Sequence, residues 1–262
     1  MILTLHHQHF GLPDDGSGTP LVILHGLFGS LENWGSQARQ LGAAHPVYAL
    51  DLRNHGRSPH SERMDYPLMA RDVLHTLDQL GLERVLLMGH SMGGKAAMQL
   101  ALDAPQRVAK LLVVDIAPRS YPRQHDDIFN ALRELDLAAL ASRQAADAAI
   151  VERVPDPSIR SFLLKNLQRN ASGGFRWKMN LDALYCEYEN IALQPHGDTP
   201  YRGPTLFIKG GLSDYIQRGD REAILRLFPT AGYKIIHGAG HWPHVEKPGP
   251  FSKIALDFLA AD

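Results

Sequence analysis

The feature that most constrains this chain is a recurrence of short, unbroken apolar runs, each bounded by Gly, Pro or Asp, with helical patterns between them. The runs are LVILHG (21–26), VYALDL (47–52), RVLLMGH (84–90), KLLVVDIA (110–117), TLFIKGG (205–211) and YKIIHGAG (233–240). A strand covered on both faces needs continuous hydrophobicity, so these runs read as central strands of a mostly parallel sheet. The opening ILTLHHQHF alternates more and suits an outer strand, where His6, His7 and His9 are ordinary edge residues. LENWGSQARQLG, YPLMARDVLHTLDQL, MGGKAAMQLALDA, DREAILRLF and FSKIALDFLAA carry helical spacing. Strand alternating with helix predicts a doubly wound α/β architecture.

The alternation is broken once. From about Pro118 to Gly203 no central strand is evident, but several helix-like pieces are, including DIFNALRELDLAALASRQAADAAIVERV, PSIRSFLLKNLQRN and MNLDALYCEYENIA. A segment of that length cannot be a plain loop, and the expectation is a helical cap over the carboxyl edge of the sheet. Residues 1–117 and 204–262 would then form the α/β core, with the cap, 118–203, inserted between two late strands. Pro155, Pro157 and Gly173-Gly174 read as breaks between cap helices.

With 44% hydrophobic residues, 21% charged and a formal net charge of -1, the chain fits a water-soluble protein with no electrostatic call on nucleic acid or an anionic membrane. Its single cysteine, Cys186, leaves no internal disulfide and suits a reducing compartment, so a cytoplasmic location is expected. The N-terminal residues lack a basic start and an unbroken apolar stretch, and no run approaches the roughly 20 residues that span a bilayer.

Chemistry concentrates in LLMGHSMGGKAAM, residues 86–98, which can be read in two ways. Gly89, Gly94 and Lys95 spell most of a phosphate loop, but such a loop needs Ser or Thr after the lysine to hold magnesium, and Ala96 stands there. Asp115, closing the next apolar run, could imitate the acid of a nucleotide hydrolase, which keeps that alternative open. Gly89, Ser91 and Gly93 spell GxSxG, whose strand, tight turn and helix lift a serine hydroxyl above the sheet. HGLFGS, at the end of an early strand, brings the backbone N–H of Leu27 to pair with that of Met92 as an oxyanion cradle. Late in the chain, HGAGHWPHVEKP offers His241 as general base, with His237 and His244 as rivals. The three histidines could suggest a metal, but their Gly- and Pro-broken loop lacks the helical frame of familiar zinc motifs. Two carboxylates at strand ends could orient the base, Asp115 and Asp214.

HGLFGS, DLRNHGRS, GHSMGGKAAM, VVDIAP and GAGHWPHVEKP together resemble the α/β-hydrolase superfamily from about Leu21 to Leu259, and within it the small YbfF-type esterases. In the cap the likeness rests on FLLKN and the Trp177 region. The resemblance implies a serine hydrolase of carboxylic esters or acyl thioesters that needs no cofactor. Ser91 would be its nucleophile, His241 its base and Asp115 its acid. Most of the superfamily carries the acid after the later strand, where this chain has Ser213, a possible extra partner of His241, followed by Asp214. Carbon–carbon bond hydrolysis or perhydrolysis would use the same residues, and a scaffold retained only for ligand binding is the non-enzymatic alternative.

Phe28, Trp34, Met92, Tyr215 and Trp242 flank these motifs and, with Phe129, Leu184 and Tyr188 of the cap, are candidates for an apolar acyl pocket. Arg53, His55, Arg57, Arg119 and Arg123 could meet an anionic substrate, although structural roles suit them better. Lys95 is expected to bond loop carbonyls or an acidic side chain. The expected partner is a small ester or thioester, with no nucleic acid and no membrane; nothing in the sequence fixes the oligomeric state.

Overall fold

Each of the predicted runs contains a strand, and the side-chain alternation along the strands divides the core into two layers. The computed structural model describes residues 1–13, 18–171 and 173–261. Its strands are β1 (His7–Gly11), β2 (Leu21–Leu24), β3 (Pro46–Leu50), β4 (Val85–His90), β5 (Val108–Val114), β6 (Leu167–Arg169), β7 (Phe175–Trp177), β8 (Thr205–Gly210) and β9 (Ala231–Ile236). The helices of the α/β frame are α1 (Gly35–Leu41), α2 (Tyr66–Gln79), α3 (Met92–Asp103), α9 (Arg221–Leu227), α10 (Pro243–Glu246) and α11 (Pro248–Ala260). Between β5 and β8 run α4 (Asp126–Arg133), α5 (Arg143–Ile150), α6 (Pro157–Leu164), the β6–β7 pair, α7 (Leu181–Cys186) and α8 (Tyr188–Ala192).

Seven strands form one sheet in the order β1-β3-β2-β4-β5-β8-β9. β1 is antiparallel to β3 and the other neighbours are parallel. Val22, Leu24, Leu87, Leu111 and Val113 pack with α2 and α3 and also with Phe129, Leu163 and Leu184 from the β5–β8 segment. Leu21, Ile23, Leu86, Met88, Leu112 and Val114 pack with α1 and α11. Helices thus cover both faces, as the unbroken runs require, and the parallel strands all deliver their carboxyl ends to one edge.

Local sequence sets the helix starts. Asp65 caps α2 by accepting from the Leu68 amide at 2.7 Å, Ser142 caps α5 through Ala145 at 3.0 Å, and Asp156 caps α6 ahead of Pro157.

Three expectations are corrected. The run at 233–240 is not central: β9 closes the sheet beside β8, with Tyr233, Lys234 and Ile235 exposed, because a short apolar run reports strand character without reporting depth. The helix expected through 157–170 stops at Leu164, and residues 167–169 pair with 175–177, strands too short to leave a periodic signal. Gly173-Gly174 consequently lies in the connection of this hairpin, not between helices.

Candidate active site

The carboxyl edge of the sheet gathers the ends of β2, β4, β5, β8 and β9. Ser91 follows β4 and begins the cap of α3 with φ 52° and ψ −119°, a left-handed conformation rare for a side-chain-bearing residue and found where strain holds a group in place. The turn is tight enough to require glycine on both sides. A Cβ on Gly89 would lie 2.2 Å from the Gly93 carbonyl oxygen, and one on Gly93 would lie 2.4 Å from that of His25.

Asp115, one residue past β5, also takes a positive φ, 53°, and is fully buried. Its Oδ1 accepts from the Gly210 amide at 2.8 Å, and its Oδ2 accepts from the Ser213 hydroxyl and from His241 Nδ1, the latter at 2.8 Å. With the His241 proton on Nδ1, Nε2 is the acceptor, and it lies 3.0 Å from Ser91 Oγ. Asp115, His241 and Ser91 therefore form one hydrogen-bonded chain from residues separated by 126 and 150 positions. An imidazole so placed can take a hydroxyl proton while the carboxylate stabilises the resulting charge.

Leu27 and Met92 occupy the two positions expected of an oxyanion cradle, after β2 and at the first residue of α3. Among the described residues neither amide has an acceptor within the protein. The next residue, Phe28, has φ 61° and is pinned on both sides: its N–H donates to His55 Nε2 at 3.2 Å and its carbonyl accepts from Asn166 Nδ2 at 2.7 Å. His55 Nδ1 donates in turn to the Arg53 carbonyl at 2.9 Å, and burial pushes this imidazole down to about 3, which keeps Nε2 free to accept. His25 braces the same loop: Nδ1 donates to the Gly26 carbonyl and Nε2 accepts from Leu52 N–H.

The remaining candidates separate cleanly. Tyr215 stacks on His241 with ring centroids 3.9 Å apart, and Trp242 packs between His241 and Phe162. Phe28, Met92, Phe129, Leu184 and Tyr188 share one apolar cluster. Trp34 does not join them: it lies in the layer on the opposite face, stacked on His244 at 4.1 Å, because the turn that carries it folds beneath the sheet edge against α11. Asp214 is exposed, with no hydrogen bond to His241 among the described residues, since the chain turns after Ser213. His237 is exposed and His244 buried, so the three histidines of that loop diverge. Lys95 donates to the carbonyls of Ala192 and Leu193 at 3.0 and 2.6 Å. Arg53 is wholly buried in a pair with Asp72, Arg57 is exposed, Arg119 pairs with Asp220 and Arg123 with Asp126.

A family model described as the alpha/beta hydrolase fold matches residues 19–248. The chain belongs to the α/β-hydrolase superfamily. Within this superfamily it stands close to the YbfF-type esterases: it is 40% identical to Esterase YbfF of Escherichia coli over 94% of this chain and 92% of that protein. It is 41% identical to the sn-1-specific diacylglycerol lipase ABHD11 of Danio rerio, over 93% of this chain and 79% of the relative. A solved structure of a marine microorganism esterase superposes with a TM-score of 0.94 at 41% identity, covering 98% of this chain and 99% of that one. No helix among the described residues is long and apolar enough to cross a membrane.

Sequence reading missed His90 and Asn166. His90 adjoins the serine and Asn166 lies in FLLKN, so both were in view; what they hold, carbonyls at His241 and Phe28, is far away in sequence.

Proposed function

We propose that this α/β-hydrolase is a serine esterase that cleaves carboxylic esters, acyl thioesters included, through an acyl-enzyme on Ser91. The observation that carries the reading is the unbroken hydrogen-bonded chain Asp115–His241–Ser91, together with two backbone amides, those of Leu27 and Met92, that have no protein acceptor among the described residues. Ser91 Oγ attacks the ester carbonyl carbon as its proton passes to His241 Nε2. The carbonyl oxygen, now negative, is held by the N–H groups of Leu27 and Met92, each worth about 3 kcal/mol in the transition state. The first turn of α3 adds its positive dipole end. When the tetrahedral centre collapses, the C–O bond to the alcohol breaks and His241 returns the proton to the leaving oxygen. Water then attacks the acyl-enzyme, again giving its proton to His241, and the acid leaves with Ser91 restored.

Asp115 acts as the acid of this arrangement, with Ser213 donating to the same carboxylate oxygen. Residues 118–203 serve as the cap, contributing Phe129, Leu184 and Tyr188 to an apolar wall shared with Phe28, Met92 and Tyr215. Relatives named esterase and diacylglycerol lipase support an ester substrate. The lone, exposed Cys186 suits the cytoplasm.

The test is a panel of 4-nitrophenyl esters and acyl thioesters of graded chain length on the purified protein. Hydrolysis with a burst of 4-nitrophenol equal to the enzyme concentration supports the acyl-enzyme route; no turnover of any ester contradicts it.

A further inference from the structure

The segment between β5 and β8 carries a polar pair that the proposed chemistry does not use. His125, which precedes α4, and Tyr188, which opens α8, are hydrogen-bonded through imidazole Nδ1 and the phenol oxygen. Both rings belong to the surroundings of the site. Phe28, next to the Leu27 amide, meets His125 edge-on at 6.1 Å, and Phe129 packs against Phe28 at 5.0 Å and Tyr188 at 5.4 Å. Burial first, and then the nearness of His241, push His125 down to about 4, so its ring is neutral at pH 7.

The network also decides which nitrogen of His125 carries the proton. Of the two neutral groups the phenol O–H is the stronger donor and the imidazole nitrogen the stronger acceptor, so the phenol proton goes to His125 Nδ1. The imidazole proton is then on Nε2. Among the described residues that N–H has no acceptor in the protein, and His125 is half-buried, open on one side. A neutral, oriented donor is thus held at the rim of an otherwise apolar wall of Phe28 and Phe129. Arg123, the nearby cation, is already paired with Asp126, so the place favours an uncharged acceptor over an anion.

We propose that His125 Nε2–H is a substrate-binding donor for an uncharged acceptor oxygen, hydroxyl, ether or carbonyl, carried by the ester a few bonds from its scissile carbonyl. The proposal rests on the esterase reading and narrows its substrate class to oxygen-bearing esters in preference to plain alkyl esters. A donor without its acceptor is left unpaired in an apolar wall, which is how such a site discriminates.

The experiment compares kcat/KM for ethyl butyrate, 2-hydroxyethyl butyrate and ethyl 3-oxobutyrate, the second bearing its extra oxygen on the alcohol and the third on the acyl group. Each is measured with the wild type, H125N and H125Q. Asparagine can keep the inner bond to Tyr188 but loses the outer donor, whereas glutamine places an amide N–H near the position of Nε2. Taking each oxygenated ester relative to ethyl butyrate, and then comparing variants, cancels intrinsic reactivity. At least one of the two ratios is expected to be about five- to tenfold higher in the wild type than in H125N, with H125Q retaining most of that preference. The ester that responds identifies the side of the substrate the donor meets. Turnover of ethyl butyrate reports that a variant is folded, and Tyr188→Phe, which removes the proton that fixes the tautomer, replaces H125N if that variant is not. Ratios within about twofold of each other for both esters in wild type and variant overturn the assignment, as does an equal loss in H125Q. Absence of wild-type hydrolysis of all three esters overturns the esterase reading instead, and the donor assignment falls with it.

Discussion

His90 Nε2 donates to the backbone carbonyl of His241 across 2.8 Å, with the two rings 4.7 Å apart. The residue before Ser91 thereby holds the loop that carries the proposed base, so nucleophile and base are referenced to each other through β4 and not only through their own hydrogen bond. Burial holds His90 well below the usual imidazole range, with His241 and His244 adding to the effect. It stays neutral, and its Nε2–H remains a donor across the working pH range.

His90→Phe keeps the buried ring and removes that donor. Its expected effect is a fall in kcat of about tenfold to a hundredfold on 4-nitrophenyl butyrate, since small misplacements of a base cost that much, with KM little changed. His90→Gln, whose amide nitrogen can reach the same carbonyl, recovers most of the loss. An unaltered kcat in His90→Phe contradicts the positioning role.

Asp115 and Asp214 were indistinguishable as residues at strand ends, and their substitution separates them. Asp115→Asn leaves the carboxylate's shape but not its charge, and is expected to lower kcat by roughly 10³ to 10⁴ through loss of the Nδ1–H tautomer and of imidazolium stabilisation. Asp214→Asn, at an exposed position, stays within about twofold of wild type. Steady-state kinetics on one ester decides, and the reverse pattern removes Asp115 from the mechanism.

Stability follows the buried histidines. Burial, reinforced for His55 by His25 and for His244 by His241, pushes both His55 and His244 to about 3 from the ordinary 6.5. A depressed folded pKa means that below pH 6.5 the unfolded chain binds protons that the folded one does not, so stability is lost as pH falls toward 3 and is unaffected above 6.5. Each group contributes about 1 kcal/mol per pH unit within that window. Thermal unfolding should therefore give a Tm that is flat from pH 8 to 7 and drops steeply by pH 5; a Tm unchanged down to pH 5 contradicts the burial of neutral imidazoles.

Much of the frame was legible because burial on both faces leaves unbroken apolar runs, as in Leu21–Leu24 and 111–114, and because Ser91 and His241 sit in glycine-rich turns after strands. Depth was not legible: Ile235 and Ile236 read like a core strand, yet β9 lies at the sheet edge, where only its last residue is buried. Nor was the direction of a side chain beyond its own element. Trp34 adjoins the oxyanion loop in sequence but points into the opposite layer, and the choice between Asp115 and Asp214 depends on a contact spanning 126 residues. The β6–β7 hairpin was lost for a simpler reason, three residues per strand being too few to establish a period.

The central claim, that Ser91 is made nucleophilic by His241, is tested most directly by incubating the protein with a fluorophosphonate and locating the adduct by peptide mass spectrometry. The account predicts one phosphonyl group on Ser91, no labelling in His241→Ala on the same timescale, and a loss of ester hydrolysis of about 10⁶ in Ser91→Ala. An unlabelled Ser91 in a protein that hydrolyses esters, or a Ser91→Ala protein that retains the activity, would contradict it.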